Sequence, residues 1–193
     1  MNFKLFLNNY LPFTVRLILI KALLYFVLYK LVLSLDLNFI NYPLTTHIGE
    51  YATKLLNIST NSSDFSVIRE SVYNDEVISS QIYYKTTKVV FIADSCNGLI
   101  VFLRYIGLII CLPSKFWRKL YYILLGVFAA HILNILRCSG LAYINLYYSQ
   151  YFTVAHDLWF KLIVYGAITI IWIFYLLKIP SPFNLKNKKQ GIA

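Results

Sequence analysis

The chain has 193 residues, of which 59% are hydrophobic, 18% aromatic and only 13% charged. A mean hydropathy of +0.63 and repeated apolar runs of spanning length exclude an ordinary soluble domain. The formal net charge of +10 would suggest nucleic acid in a soluble protein. Here it reads as basic flanks on the cytoplasmic side facing anionic lipid, so the bilayer and not nucleic acid is the expected partner.

Residues 1–12 form a short, weakly basic head. A first span is predicted over 16–35, with Arg16 and Lys21 snorkelling to the cytoplasmic interface and Lys30 lying deeper. No short apolar segment ends in a small-residue cleavage site, so this span is read as retained. Residues 36–95 differ in kind, being polar and without a spanning run. Within them Ile48, Tyr51, Ala52, Leu55 and Leu56 recur at helical spacing, which predicts an amphipathic helix over 45–56 lying on the membrane. β-rich runs over 67–73 and 76–84, around Asn74 and Asp75, predict a hairpin, with 88–93 as a third strand. Asn57 and Asn61 satisfy the N-glycosylation pattern, a short match of little weight.

A second span is predicted over 96–112, about 25 Å of helix. The tight basic connection 113–119 leads to a third span over 120–137. An aromatic, nearly uncharged connection over 138–155 follows, then a fourth span over 157–177 and a basic tail with Lys178, Lys186, Lys188 and Lys189. The expected fold is an all-α polytopic membrane protein of about four transmembrane helices with a small extracytoplasmic α+β insert. It is read as one domain over 1–193, with the insert at 36–95 and a catalytic core at 94–177.

Short-loop cations at Lys115, Arg118 and Lys119 and in the C-terminal tail place both termini in the cytoplasm. All eight acidic residues sort to the opposite side or its edges: Asp36, Glu50, Asp64, Glu70, Asp75, Glu76, Asp94 and Asp157. The expected location is the cell inner membrane, with the insert outside.

That topology brings three chemistries to one membrane face. Asp94 and Ser95 are good helix N-cap residues, so the second span is expected to begin close to Cys96, whose thiol would then feel the positive end of the helix dipole. Gly98 would allow a close approach by backbone or substrate. Arg137 closes the third span, and His156 precedes the fourth. Separations of 41 and 19 residues can thus collapse to contact. A thiolate attacks carbonyls, an imidazole moves protons, and a guanidinium that cannot deprotonate stabilises an oxyanion or the thiolate. This is the outfit of a cysteine peptidase or transpeptidase. Asp94 is placed in a secondary role, either orienting His156 or capping the helix, and Asn134 is expected to position Arg137.

The segments Cys96-Asn97-Gly98, Asn134-Ile-Leu-Arg137 and His156, in this order, resemble the exosortase/archaeosortase membrane transpeptidases. The likeness covers roughly 94–177. Carried over, it implies catalytic roles for Cys96, Arg137 and His156. It departs in Asn97, where Ser is more usual, and in having fewer spans than many members. The substrates it implies are secreted proteins with a C-terminal sorting signal: a recognition motif, a transmembrane helix and a basic end. No cofactor is implied, and three cysteines without metal-like spacing argue against a zinc site.

Plainer readings compete. A Cys96–Cys138 disulfide would remove the nucleophile. His156 beside Asp157 reads as an interfacial cap, since adjacent helical residues do not face each other. His47 reads as a loop histidine, and His131 as packed in the bundle. Arg104 needs an internal partner that the sequence does not name. The rival function is a non-enzymatic membrane scaffold or transport subunit, with Lys30, Arg104 and Lys161 lining an anion path.

Overall fold

The first long helix, α1 (Phe13–Ser34), carries no Gly or Pro and is apolar apart from Arg16, Lys21 and Lys30 and a few hydroxyl side chains. None of its spanning window is buried, as befits a helix whose solvent is lipid. It belongs to a computed structural model that describes residues 13–35, 37–71, 78–93 and 96–177. The expectations for the head at 1–12, the Asn74–Asp75 turn, the caps Asp94 and Ser95, and the tail from Lys178 lie outside the described residues.

After α1 come α2 (Asn38–Thr60), β1 (Phe65–Ser71), β2 (Ile78–Tyr84), β3 (Thr87–Ile92), α3 (Leu99–Cys111), α4 (Phe116–Tyr147) and α5 (Phe160–Leu177). The strands form one antiparallel sheet in the order β1-β2-β3. Among the described residues, three helical segments are long and apolar enough to cross a membrane: Val15–Ser34, Phe116–Tyr147 and Ser149–Leu177. The expected second span is shorter than predicted. Its helix has 13 residues, about 20 Å of rise, against a hydrocarbon core of about 30 Å.

Two cores share α4. On the membrane side Phe102, Tyr105, Ile109, Tyr122, Ala130, Ile168 and Tyr175 join α3, α4 and α5. In the insert Ile48, Ala52 and Leu56 of α2 meet Phe65, Ile82, Val89 and Ile92 of the sheet and Ile135, Cys138 and Ala142 of α4. The apolar face of α2 is therefore covered by protein rather than by lipid, unlike the membrane-surface helix expected. Its helical spacing is the same in either case; only the sheet and α4 decide what covers it.

The connection expected over 138–155 also differs. Helix α4 continues unbroken to Tyr147, because Cys138, Ser139, Leu141 and Ala142 all find buried positions against the insert. Gly140 lets the Phe160 ring close in; a Cβ there would lie 2.5 Å from it. At 32 residues, about 48 Å, α4 exceeds the bilayer core and serves as the axis of both halves. At the far end of α2, the Asn57 amide donates to Phe65 O at 2.9 Å and accepts from Phe65 N at 3.0 Å. Both ends of that side chain are thus used to hold β1.

Candidate active site

Strand β3 ends at Ile92, and Cys96 sits in the turn between it and α3. The helix does not begin at Cys96 as expected. Gly98 is its N-cap with φ of +86°, a left-handed conformation that no residue within a helix adopts and that favours glycine. The cap hydrogen bond comes from Asn97, whose Oδ1 accepts from Leu99 N at 3.0 Å. Cys96 thus stands two residues ahead of the helix N-cap, on a turn closed by its own N–H donating to Ala93 O at 2.8 Å.

Two buried amides hold this turn. Asn97 is 1% exposed and points away from the cavity, its Nδ2 donating to Asn41 Oδ1 at 2.9 Å and Thr45 Oγ1 at 3.2 Å, both on α2. Asn134 of α4, 4% exposed, donates from Nδ2 to the Cys96 carbonyl at 3.1 Å. It positions the cysteine turn and not Arg137, as the spacing had suggested. Sharing a helix face with Arg137 does not make the two side chains partners; Asn134 reaches across to the neighbouring element.

Asn97→Ala removes three hydrogen bonds at once, to Asn41, Thr45 and Leu99 N. The expected cost is roughly 1–3 kcal/mol, read as a melting temperature lowered by several degrees in detergent. An unchanged melting curve would mean the amide does not anchor the turn.

One turn above Asn134, Arg137 Nη2 lies 3.4 Å from His156 Nε2, at the long end for a hydrogen bond. His156 Nδ1 lies 3.0 Å from Asp157 Oδ1, and Lys161 Nζ meets the same oxygen at 3.1 Å. A guanidinium only donates and a carboxylate only accepts. The chain of contacts therefore assigns the imidazole proton to Nδ1 and the lone pair to Nε2.

Residues 155–159 form a π-helical turn, which lets the neighbours His156 and Asp157 bond side chain to side chain. Sequence reasoning had set that pair aside on regular α-helical geometry. The His-Asp dipeptide, with Lys161 four residues on, was the available signal. Asp94, considered earlier as an orienting group, lies outside the described residues.

Two cavities meet at this cluster. One, about 320 Å³, lies between α3, α4 and α5; among the described residues its lining includes Arg104, Arg137 and Lys161 and no carboxylate. The other, about 430 Å³, lies between β3, α4 and the segment leading into α5. Among the described residues, Cys96, Arg137 and His156 are the ones that line both. Cys96 and Cys138 are thiols and not a disulfide, and Cys138 is buried at 5% exposure.

The other polar residues resolve as follows. Arg104 finds Tyr29 of α1, with Nε donating to Oη at 3.3 Å. His47 is not on a loop but on α2, where its Nδ1 lies 3.2 Å from His131 Nε2. The stripe His131, Asn134, Arg137 thus reaches three partners on three different elements.

The fold defines a helical multi-pass membrane protein with a small α+β insert. The family model described as transmembrane exosortase matches residues 11–179, most of the chain, and the chain belongs to that family. Membership gives it a membrane transpeptidase-type role in general terms. No curated protein and no solved structure matches it.

Proposed function

We propose that this chain, acting as one membrane domain, is a cysteine transpeptidase that removes C-terminal sorting signals from secreted proteins at the extracytoplasmic face. One observation carries the reading: among the described residues, Cys96, Arg137 and His156 are the ones common to the two cavities. A peptide crossing from one cavity to the other passes these three groups.

In the proposed reaction His156 Nε2 takes the Cys96 proton and the sulfur attacks the scissile carbonyl. Arg137 stabilises the oxyanion, and Asp157 holds the imidazole and offsets the charge it gains. Collapse breaks the C–N bond. His156 returns the proton to the leaving amine, the signal helix departs, and a thioester remains on Cys96. An amine, hydroxyl or water then attacks the thioester, gives its proton to His156 and regenerates the thiol.

The experiment is to delete the gene in its host and map the C-termini of membrane and secreted proteins. The expected result is a small set of proteins that now retain a C-terminal helix with a basic end. If no protein changes its C-terminus, the reading fails and a scaffold role takes its place.

The topology follows from the charges and has its own test. With both termini cytoplasmic, cysteines placed near Asn61 react with an impermeant thiol reagent in intact cells, and one at Lys119 does not. The reverse pattern would put Cys96 on the wrong side for a secreted substrate.

A further inference from the structure

Helix α1 packs on α3 and makes no comparable contact with α5. The approach is close, for a Cβ on Gly107 would lie 2.1 Å from the Tyr25 ring. On one side of this seam runs a groove of about 720 Å³, floored by Gly107, Leu108 and Cys111 and walled by α1 and by Trp172 of α5. Its α1 wall extends from Ile18 to Leu33, about 22 Å of rise, which is most of a hydrocarbon core of about 30 Å. The lining is mainly apolar and faces lipid.

This groove adjoins the candidate active site at Arg104. Among the described residues Arg104 is the one that lines both it and the 320 Å³ cavity. Among the described residues its hydrogen bond is the one from Nε to Tyr29, so both Nη groups remain for a ligand at the junction. Helix α3 runs away from Cys96 and places Arg104 five residues beyond Leu99, about 7.5 Å further into the membrane.

Resting on the transpeptidase reading, the geometry points to this groove as the seat of the substrate's transmembrane helix, which slides in from the bilayer between α1 and α5. Two features favour that occupant over lipid. The groove runs along about 22 Å of α1, and one end of it reaches Arg104, which also lines the cavity that holds Cys96. The polarity also fits. A helix lying there with its N-terminus at Arg104 presents the preceding residues to Cys96 and sends its basic end toward the opposite membrane face. A few extended residues, at about 3.3–3.6 Å each, cover the distance from Arg104 to the thiol. Cleavage therefore falls a few residues before the substrate helix. The groups unpaired at the first turn of a helix are N–H donors, so the carbonyls of the extended residues before it are the ones that accept from the Arg104 guanidinium.

The test uses the full chain in its host with Cys96→Ala, so that any substrate stays uncut. A photoreactive phenylalanine replaces Leu108 in the groove or, as control, Leu124, a 62% exposed residue on α4. Leu108 is expected to capture the proteins that retain a C-terminal helix when the gene is deleted, at least about tenfold more than Leu124 does. Capture of lipid alone, of a second copy of this chain alone, or equal capture at both positions overturns the groove assignment.

In the active protein, Leu108→Trp is expected to raise KM about tenfold with kcat little changed. The rate of Cys96 alkylation by a small maleimide should stay the same, which shows an intact site. A Leu108→Trp protein with unchanged KM also overturns the assignment. Should gene deletion leave every C-terminus unchanged, cleavage is disproved. The groove is then judged alone, by whether Leu108 captures single-pass proteins with a C-terminal helix and basic end in preference to Leu124.

Discussion

Cys96→Ala is expected to reduce signal cleavage on the order of 10⁶-fold, to below detection, with the protein still present at normal levels. Loss of a nucleophile removes the whole covalent route, leaving only what binding and oxyanion stabilisation give to attack by water. No second thiol replaces it. Cys138 is 5% exposed within the insert core, and Cys111 lies at the far end of α3 in the lateral groove. Abundance should hold, because Asn97, Asn134 and the left-handed Gly98 fix the turn. A Cys96→Ala protein that cleaves at a measurable rate would make the thiol a bystander.

Arg137→Lys carries the second large effect, a loss of about 10²–10³ in kcat with little change in KM. The guanidinium keeps its charge at any working pH and holds several donors in one plane. One of them already points at His156 Nε2, so others can meet an oxyanion beside the imidazole. A lysine keeps the charge, but its single flexible ammonium cannot hold the same directions. The comparison separates geometry from charge. If Arg137→Lys is as active as the parent, any local cation suffices and the fork has no role. Rates are to be measured on protein whose Cys96 alkylates at the parental speed, so that a displaced turn is not mistaken for lost transition-state stabilisation.

Much of this architecture was legible in the sequence, for identifiable reasons. Apolar runs of spanning length exposed the long helices, and alternation with turn residues exposed the sheet. The order of Cys96, Arg137 and His156 along a folded-back chain placed all three at one end of the bundle. What stayed hidden depended on single dihedrals and tertiary partners. Gly98 could be read as a helical residue until its φ of +86° moved the start of α3 to Leu99 and shortened that helix. The π-turn at 155–159 let His156 bond its own neighbour, a geometry absent from the regular helix assumed in the prediction. Helix α4 outran its hydrophobic span because Cys138 and Ala142 pack into the insert, and nothing local signals that.

The polar partners were hidden for the same reason. Asn134 shares a face with Arg137 yet spends its amide on the Cys96 carbonyl. Arg104 marked itself by being charged within a span, but its partner Tyr29 is 75 residues away. Helical periodicity gives the face a side chain is on; only the packing gives what it meets.

The most direct measurement is to trap the covalent intermediate. Cells carrying the parent chain and one of the proteins that retains its C-terminal helix on gene deletion are quenched in acid, and the chain is digested for mass spectrometry. The account predicts a hydroxylamine-labile adduct on the Cys96 peptide, a thioester to the substrate's new C-terminal residue, and none in Cys96→Ala cells. Full processing of the substrate with no such adduct, or an adduct on any other residue, would contradict it.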